Sequence, residues 1–303
     1  MERIRRLCQS LSPRRRVASA ARLVGGLSNS GFKIHFESGG EPVVLRIYER
    51  DPAACRKELE LLRALARTVA VPEVLHAEPE GCDGGRPFVF LRYVEGVTFR
   101  QLKATADRRA IQEAAYAIGA ALAAVGKHDL DCVPQVSDGP PQLPESINGH
   151  LSSPGLTART GAALADRVRR LVADWGTRLR LITRERRLVH GDFRKQNILV
   201  RPDGNTWTVA AILDWECAFQ GSQMFDVGVF LRYERSEQPV AEPAFSRGFR
   251  DGGGRLCEDW MDAARVVDLD SLCRSLTAPH LPPDIEREIV GLVTATAAGF
   301  KTK

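Results

Sequence analysis

The chain has 303 residues, 44% hydrophobic and 27% charged, with a mean hydropathy of −0.21. That is enough chain for one large domain or two lobes around a sizeable core. Its 43 basic and 38 acidic residues leave a net charge of +5, too small and too dispersed to make nucleic acid the main partner.

From the N-terminus, residues 2–9 form a short basic amphipathic stretch. Strand-like segments follow at Ala21–Gly25, Phe32–Glu37, Pro42–Tyr48, Val74–Glu78 and Pro87–Tyr93, separated by clusters such as GGLSNSG, ESGGE and EGCDGGR. Such clusters are turn chemistry between β-strands. One helix interrupts them. Asp51-Pro52 reads as an N-cap followed by Pro at the first helical position. Leu59, Leu62, Leu65 and Ala66 then recur at helical spacing until Val71-Pro72 breaks the run. The order predicts a small antiparallel sheet with one packed helix.

From Val97 onward the pattern is mainly helical. Helices are expected over 107–127 and 162–182, and again at 222–232, 242–251, 257–276 and 282–299. Residues 131–161, rich in Pro, Gly and Ser and without a period, read as a long loop, partly helical or mobile as alternatives. A strand–loop–strand–turn–strand unit occupies 187–214. The fold class expected is α+β in two lobes, 1–95 with the sheet and 96–303 mainly helical.

Seven scattered cysteines, none spaced C-x-x-C, exclude a disulfide scaffold and argue against zinc. Arginines stand where a signal peptide would have its apolar core. No uncharged run reaches the roughly 18 apolar residues of a membrane span. The expectation is a cytoplasmic protein, monomer or homodimer, with neither nucleic acid nor membrane as partner.

The chemistry concentrates in Val189-His190-Gly191-Asp192-Phe193-Arg194-Lys195-Gln196-Asn197-Ile198-Leu199-Val200, a polar loop between two short apolar strands. Farther on, Ala211-Ile212-Leu213-Asp214-Trp215-Glu216 ends another apolar strand with an acid. Hard oxygen groups at strand ends, joined by the tight Asp203-Gly204-Asn205 turn, can converge on one point. Such a point suits Mg²⁺, which takes carboxylate and amide oxygens and keeps phosphate oxygens as its remaining ligands.

H-G-D-x-x-x-x-N followed by I-L-D-W resembles the motifs of the aminoglycoside phosphotransferase and choline kinase family, small-molecule kinases with a protein-kinase-like fold. Gly25-Gly26-Leu27-Ser28-Asn29-Ser30 resembles that family's nucleotide-covering loop, Val43–Ile47 its third strand, and Phe88–Gly96 the strand and hinge between lobes. The resemblance implies that Asp192 orients or deprotonates the acceptor hydroxyl, while Asn197 and Asp214 hold Mg²⁺ on the phosphates of ATP or GTP. It further implies that Arg194 neutralises phosphoryl charge, and that His190 and Asp226 are structural. Gly26, Ser28, Asn29, Ser30, Arg46, Glu58, Leu91 and Tyr93 would contact the nucleotide. One departure is Arg46, where protein kinases carry Lys, with Glu58 as its expected partner. D-F-G, A-P-E and H-R-D are absent from the sequence, which argues against a protein kinase proper.

The acceptor expected is a small, cationic, hydroxylated molecule. Residues 234–270 hold nine acids, among them Glu237, Asp259 and Asp262, against five arginines, and acidic patches draw polycations. Aminoglycosides or other antibiotics, hence resistance by phosphorylation, rank first. Choline or ethanolamine, which need an aromatic cage, rank second and plain sugars third. The rival from another class is a catalytically silent binding protein of the same fold.

Overall fold

The computed structural model describes residues 2–23, 29–82, 85–105, 107–128, 136, 139 and 142–300. Helix α1 (Glu2–Leu11) buries Ile4 and Cys8 against a five-stranded antiparallel sheet. The strands are β1 (Val17–Arg22), β2 (Asn29–Phe36), β3 (Val43–Tyr48), β4 (Val74–Glu78) and β5 (Phe88–Arg92), ordered β1-β2-β3-β5-β4. The back of the sheet forms its own small core with Ile34, Leu45, Phe88 and Phe90. Helix α2 (Ala53–Leu65) crosses between β3 and β4, its first N–H taken by the Asp51 carboxylate at 3.0 Å. It buries Leu61, Leu62 and Leu65 in the main core, continuous with the C-terminal helices.

After β5, the two-residue β6 (Val97–Thr98) pairs with a hairpin of β8 (Ile198–Asp203) and β9 (Thr206–Ile212). The pair β7 (Arg187–Val189) and β10 (Phe219–Gly221) lies beside it. The remainder is helical: α3 (Phe99–Ala104), α4 (Arg108–Val125), α5 (Leu143–Leu151), α6 (Pro154–Thr160), α7 (Ala162–Asp174) and α8 (Gly176–Thr183) precede the small strands. Helices α9 (Met224–Leu231), α10 (Ala244–Asp251), α11 (Trp260–Leu276) and α12 (Pro283–Ala298) follow them. Among the described residues no helix is long and apolar enough to cross a membrane, and Cys8, Cys55, Cys217, Cys257 and Cys273 are free.

Two expectations need correction, and a third becomes definite. The stretch read as a long loop open to partial helicity contains α5 and α6, each opened by a proline in its first turn. Both are anchored by buried Leu143, Ile147, Leu151 and Leu156. Helices of seven and nine residues are too short to display a period among the prolines and glycines that delimit them. The helix expected over 162–182 is broken at Trp175, where α7 ends and α8 begins. The first strand lies at Val17–Arg22, earlier in the chain than expected, because its small residues carry little alternation.

Helices α4 and α10 meet backbone to backbone. A Cβ on Gly119 would overlap the Phe245 carbonyl oxygen, and one on Gly248 the Tyr116 carbonyl oxygen. Gly119→Ala gains about 1 kcal/mol of helix propensity but overpacks this seam, which costs more. We expect a net loss of about 1–2 kcal/mol, read from the urea midpoint; an unchanged or raised midpoint would contradict the tight seam.

Candidate active site

The 190–197 loop is shaped by a buried carboxylate. Asp226, in the first turn of α9, accepts the backbone N–H of His190 at 2.7 Å and of Gly191 at 2.9 Å. Gly191 turns with φ +78°, and a Cβ there would overlap the Cys217 carbonyl oxygen, so only glycine fits. His190 is fully buried. Its Nε2 donates to the Leu213 carbonyl at 2.9 Å, while Nδ1 accepts the Asp192 N–H at 3.2 Å. That pair of contacts requires the neutral ring, and burial accordingly lowers its pKa.

Asp192 emerges from this brace. Arg194 grips it with two nitrogens, Nε to Oδ1 at 2.6 Å and Nη2 to Oδ2 at 2.7 Å. Asn197 Nδ2 reaches Oδ2 at 2.8 Å and the Asp192 carbonyl at 2.9 Å. A carboxylate offers about four acceptor positions, so one remains for an incoming hydroxyl. The Asn197 amide nitrogen is spent on Asp192, which leaves its oxygen for another partner. The Asn197 carbonyl accepts the Leu213 N–H at 2.8 Å and so ties the loop to the strand that carries Asp214.

Across the cleft, Arg46 of β3 is surrounded by three carboxylates. Its guanidinium lies 2.5 Å from Asp214, and 3.2 Å from both Glu58 and Glu216. Burial opposes this charge, yet Glu58 and Asp214 hold the guanidinium above its ordinary pKa. Glu58 also accepts from Tyr48 Oη and from the Trp215 N–H at 3.1 Å. Lys57 donates to the Glu216 carbonyl at 2.9 Å. The Asn29 amide reaches the Glu216 carboxylate, whose pKa is raised by burial and by Asp214. Asp214 itself adopts φ +70°, the one non-glycine positive φ among the described residues, a strained turn that aims its carboxylate at the cleft.

These groups fit a divalent cation. One guanidinium faces three carboxylates, and a second positive charge beside Asp214 would offset both the burial and the neighbouring Asp214 that raise Glu216. Among the described residues no group of three or more His, Cys, Asp or Glu side chains could hold a metal ion alone. Mg²⁺ needs no such cage, because one or two protein oxygens plus phosphate oxygens complete its octahedron.

The other expected positions are more scattered. Gly26 and Ser28 lie outside the described residues. Ser30 pairs with Ile47 in the sheet, and Leu91 is buried in β5. The Tyr93 N–H extends the ladder to the Pro42 carbonyl at 3.4 Å, and its ring carries the Lys33 ammonium at 3.6 Å. The three acids singled out for the acceptor are all paired internally. Glu237 meets Lys195 and Lys103, Asp259 meets Arg178, and Asp262 meets Arg265 and Arg235. Glu216, Lys57, Lys103 and Lys195 were missed by sequence reasoning. A usable signal existed: the chain has only seven lysines, and two of them, Lys103 and Lys195, converge on Glu237 while Lys57 holds the Glu216 turn.

A sheet-bearing N-terminal part followed by a helical C-terminal part, with the Asp/Asn loop of residues 190–197 tied to the strand end that carries Asp214, defines an α+β protein. Comparison with known proteins narrows the class. The model of the phosphotransferase enzyme family matches residues 19–261, and the chain belongs to that family. In sequence it is 29% identical over 205 residues to Acyl-CoA dehydrogenase family member 10 of Mus musculus. That match covers 65% of this chain but spans only 18% of the mouse protein. Among solved structures, a thermostable mutant of aminoglycoside phosphotransferase APH(4)-Ia in ternary complex with AMP-PNP and hygromycin B superposes with TM-score 0.72. Identity there is 17%, over 100% of both chains. The GDP and kanamycin complex of APH(2")-IIIa gives TM-score 0.75 at 18% identity, over 99% of this chain and 100% of the other. At such identities the likeness is one of fold.

Asp226 also makes the site sensitive to pH. Burial pushes its carboxyl up to about 7, against the pull of the two N–H groups. The native state then holds a proton that the unfolded chain releases near pH 4, so stability falls as pH rises between those values. Relative to Asp226→Asn, which lacks this titration, the wild type should lose up to about 4 kcal/mol from pH 4 to pH 7. Denaturant midpoints of both proteins across that range measure it; parallel curves would refute the linkage.

Proposed function

We propose that the protein is a Mg²⁺-dependent O-phosphotransferase that moves the γ-phosphoryl group of ATP or GTP to a hydroxyl of a small molecule. The observation that carries this reading is the connected set Asp192, Asn197 and Asp214. Asn197 touches the first at 2.8 Å and is joined through Leu213 to the strand bearing the third.

In this reading Asp192 is the catalytic base. Its remaining acceptor position takes the acceptor O–H, whose oxygen attacks the γ-phosphorus as the bond to the β–γ bridging oxygen breaks. The proton passes to Asp192 and the nucleoside diphosphate leaves. His190 and Asp226 are positioning residues that fix the loop. Arg194 sits within one side chain of the reacting centre, where its guanidinium can turn from Asp192 to the phosphoryl oxygens. The oxygens of Asn197 and Asp214 would hold Mg²⁺, which when bound neutralises the nucleotide phosphates. Glu216 stands ready as a third ligand. Arg46, held by Glu58, would face the phosphates, with Asn29 and Ser30 at the start of β2 beside them, and Leu91 and Tyr93 would flank the base. The lobe boundary belongs near residue 95, between β5 and β6, and free cysteines accord with a cytoplasmic setting.

A second reading, phosphorylation of an aminoglycoside and hence resistance to it, is favoured by the hygromycin B and kanamycin held by proteins of similar fold. The acidic stretch of residues 234–270 no longer supports it, because its expected acceptor contacts are paired within the chain.

Mg²⁺–AMP-PNP should raise the melting temperature, since a ligand of the folded state stabilises it. Asp192→Ala should keep that shift and the fold while losing at least about a thousandfold in turnover. Unchanged turnover would remove Asp192 from the role of base, and no shift with either an ATP or a GTP analogue would favour the silent binding protein.

A further inference from the structure

Beneath the 190–197 loop lie two buried lysines that phosphoryl transfer does not require. Lys195 follows Asp192 by three residues, and Lys103 rises from α3, whose first turn is tied to the loop by the Arg100 N–H on the Lys195 carbonyl at 3.1 Å. Both side chains are only 6% exposed. Their ammonium groups converge on one oxygen, Glu237 Oε2, at 2.5 Å from Lys195 and 3.3 Å from Lys103.

The two carboxylates in this cluster are not equivalent. Glu234 is 12% exposed and built into the chain: its Oε1 accepts the Glu242 N–H at 2.8 Å, while its Oε2 lies 3.6 Å from Lys103. Glu237 is 42% exposed, and both of its recorded partners are the lysines. It covers them from the solvent side on the connection between α9 and α10. Burying two ammonium groups against one another is unfavourable unless anions compensate them. One shared Glu237 oxygen, with Glu234 no nearer than 3.6 Å to Lys103, compensates them weakly, and Lys103 Nζ has no hydrogen bond of good geometry. A carboxylate or phosphate arriving from solvent would meet the same two cations with more oxygens.

Two arginines stand near the active site as well: Arg232, paired with Asp268 at 2.6 Å, lies close enough to Asp192 to feel its charge, and Arg274 lies near Cys217.

We propose that the acceptor is an anionic hydroxylated molecule, carrying a carboxylate or phosphate that replaces Glu237 on Lys195 and Lys103. This rests on the phosphotransfer reading above and names its substrate class. Glu237 acts as an internal stand-in that keeps the lysines compensated until the acceptor arrives. Lys195 thereby ties acceptor binding to the loop that carries the base.

The test titrates inorganic phosphate, glycerol 3-phosphate and kanamycin into protein saturated with Mg²⁺–AMP-PNP, so that the nucleotide site is filled, and reads binding by calorimetry. Glu237→Gln should bind phosphate and glycerol 3-phosphate about tenfold more tightly than the wild type. Glu237→Ala, which shortens the same exposed side chain, should do likewise. Adding Lys195→Met should abolish the gain, and kanamycin should bind none of these proteins better than glycerol 3-phosphate. The proposal is overturned if neither Glu237 variant gains affinity for the anions, if the gain survives Lys195→Met, or if kanamycin binds the wild type more tightly than either anion. Failure of the phosphotransfer reading is distinguishable, because it would appear as no thermal shift with Mg²⁺–AMP-PNP, whereas the Glu237-dependent anion gain is measured separately.

Discussion

Arg46 joins three parts of the molecule that chain connectivity keeps apart: the sheet through β3, helix α2 through Glu58, and the turn after β9 through Asp214 and Glu216. Neither carboxylate turn would be tolerable at this density without the guanidinium, and the guanidinium would not be buried without them. Arginine suits the position better than lysine would, since its planar fork engages several carboxylates at once and stays charged when buried. The substitution that looks like a departure in the sequence is matched by an added partner, Glu216, in space.

Much of this was readable along the chain, and the reason is locality. The 190–197 loop is contiguous, and its functional groups bond largely to one another, so its motif survives as a string even though Asp226, Leu213 and Arg100 brace it from elsewhere. Helices α2, α4, α9, α10, α11 and α12 declared themselves because each presents at least two turns of apolar residues to the core. The α5–α6 region did not, because its short helices are delimited by the residues that normally signal loops. Glu216 lies two positions past Asp214, yet its role depends on how the turn at Trp215 folds back beneath Arg46, which no spacing rule states.

Charge was the quantity that sequence order described least well. The nine acids between residues 234 and 270 are an excess only along the chain. In space they are met by cations from distant elements: Lys103 from α3, Lys195 from the 190–197 loop, Arg178 from α8, and Arg232 on Asp268. A segment's net charge predicts what it attracts only if its partners are in the solvent. Here many are already in the protein, as the lysines and arginines paired with residues 234–270 show.

The attachment of α2 on two sides has a mechanical corollary. Its Glu58 holds the sheet through Arg46, while Glu58 and Lys57 together hold the turn after β9 through the Trp215 N–H and the Glu216 carbonyl. Any hinge motion wide enough to admit a nucleotide must therefore part the helix from one neighbour or the other. If the sheet swings alone, the guanidinium leaves its carboxylates; if helix and sheet swing together, the Glu216 turn is released. Each cycle of entry and exit is thus an exchange of ionic partners. In the proposed reaction the polyphosphate would be the incoming ion that Arg46 accepts in return for a carboxylate.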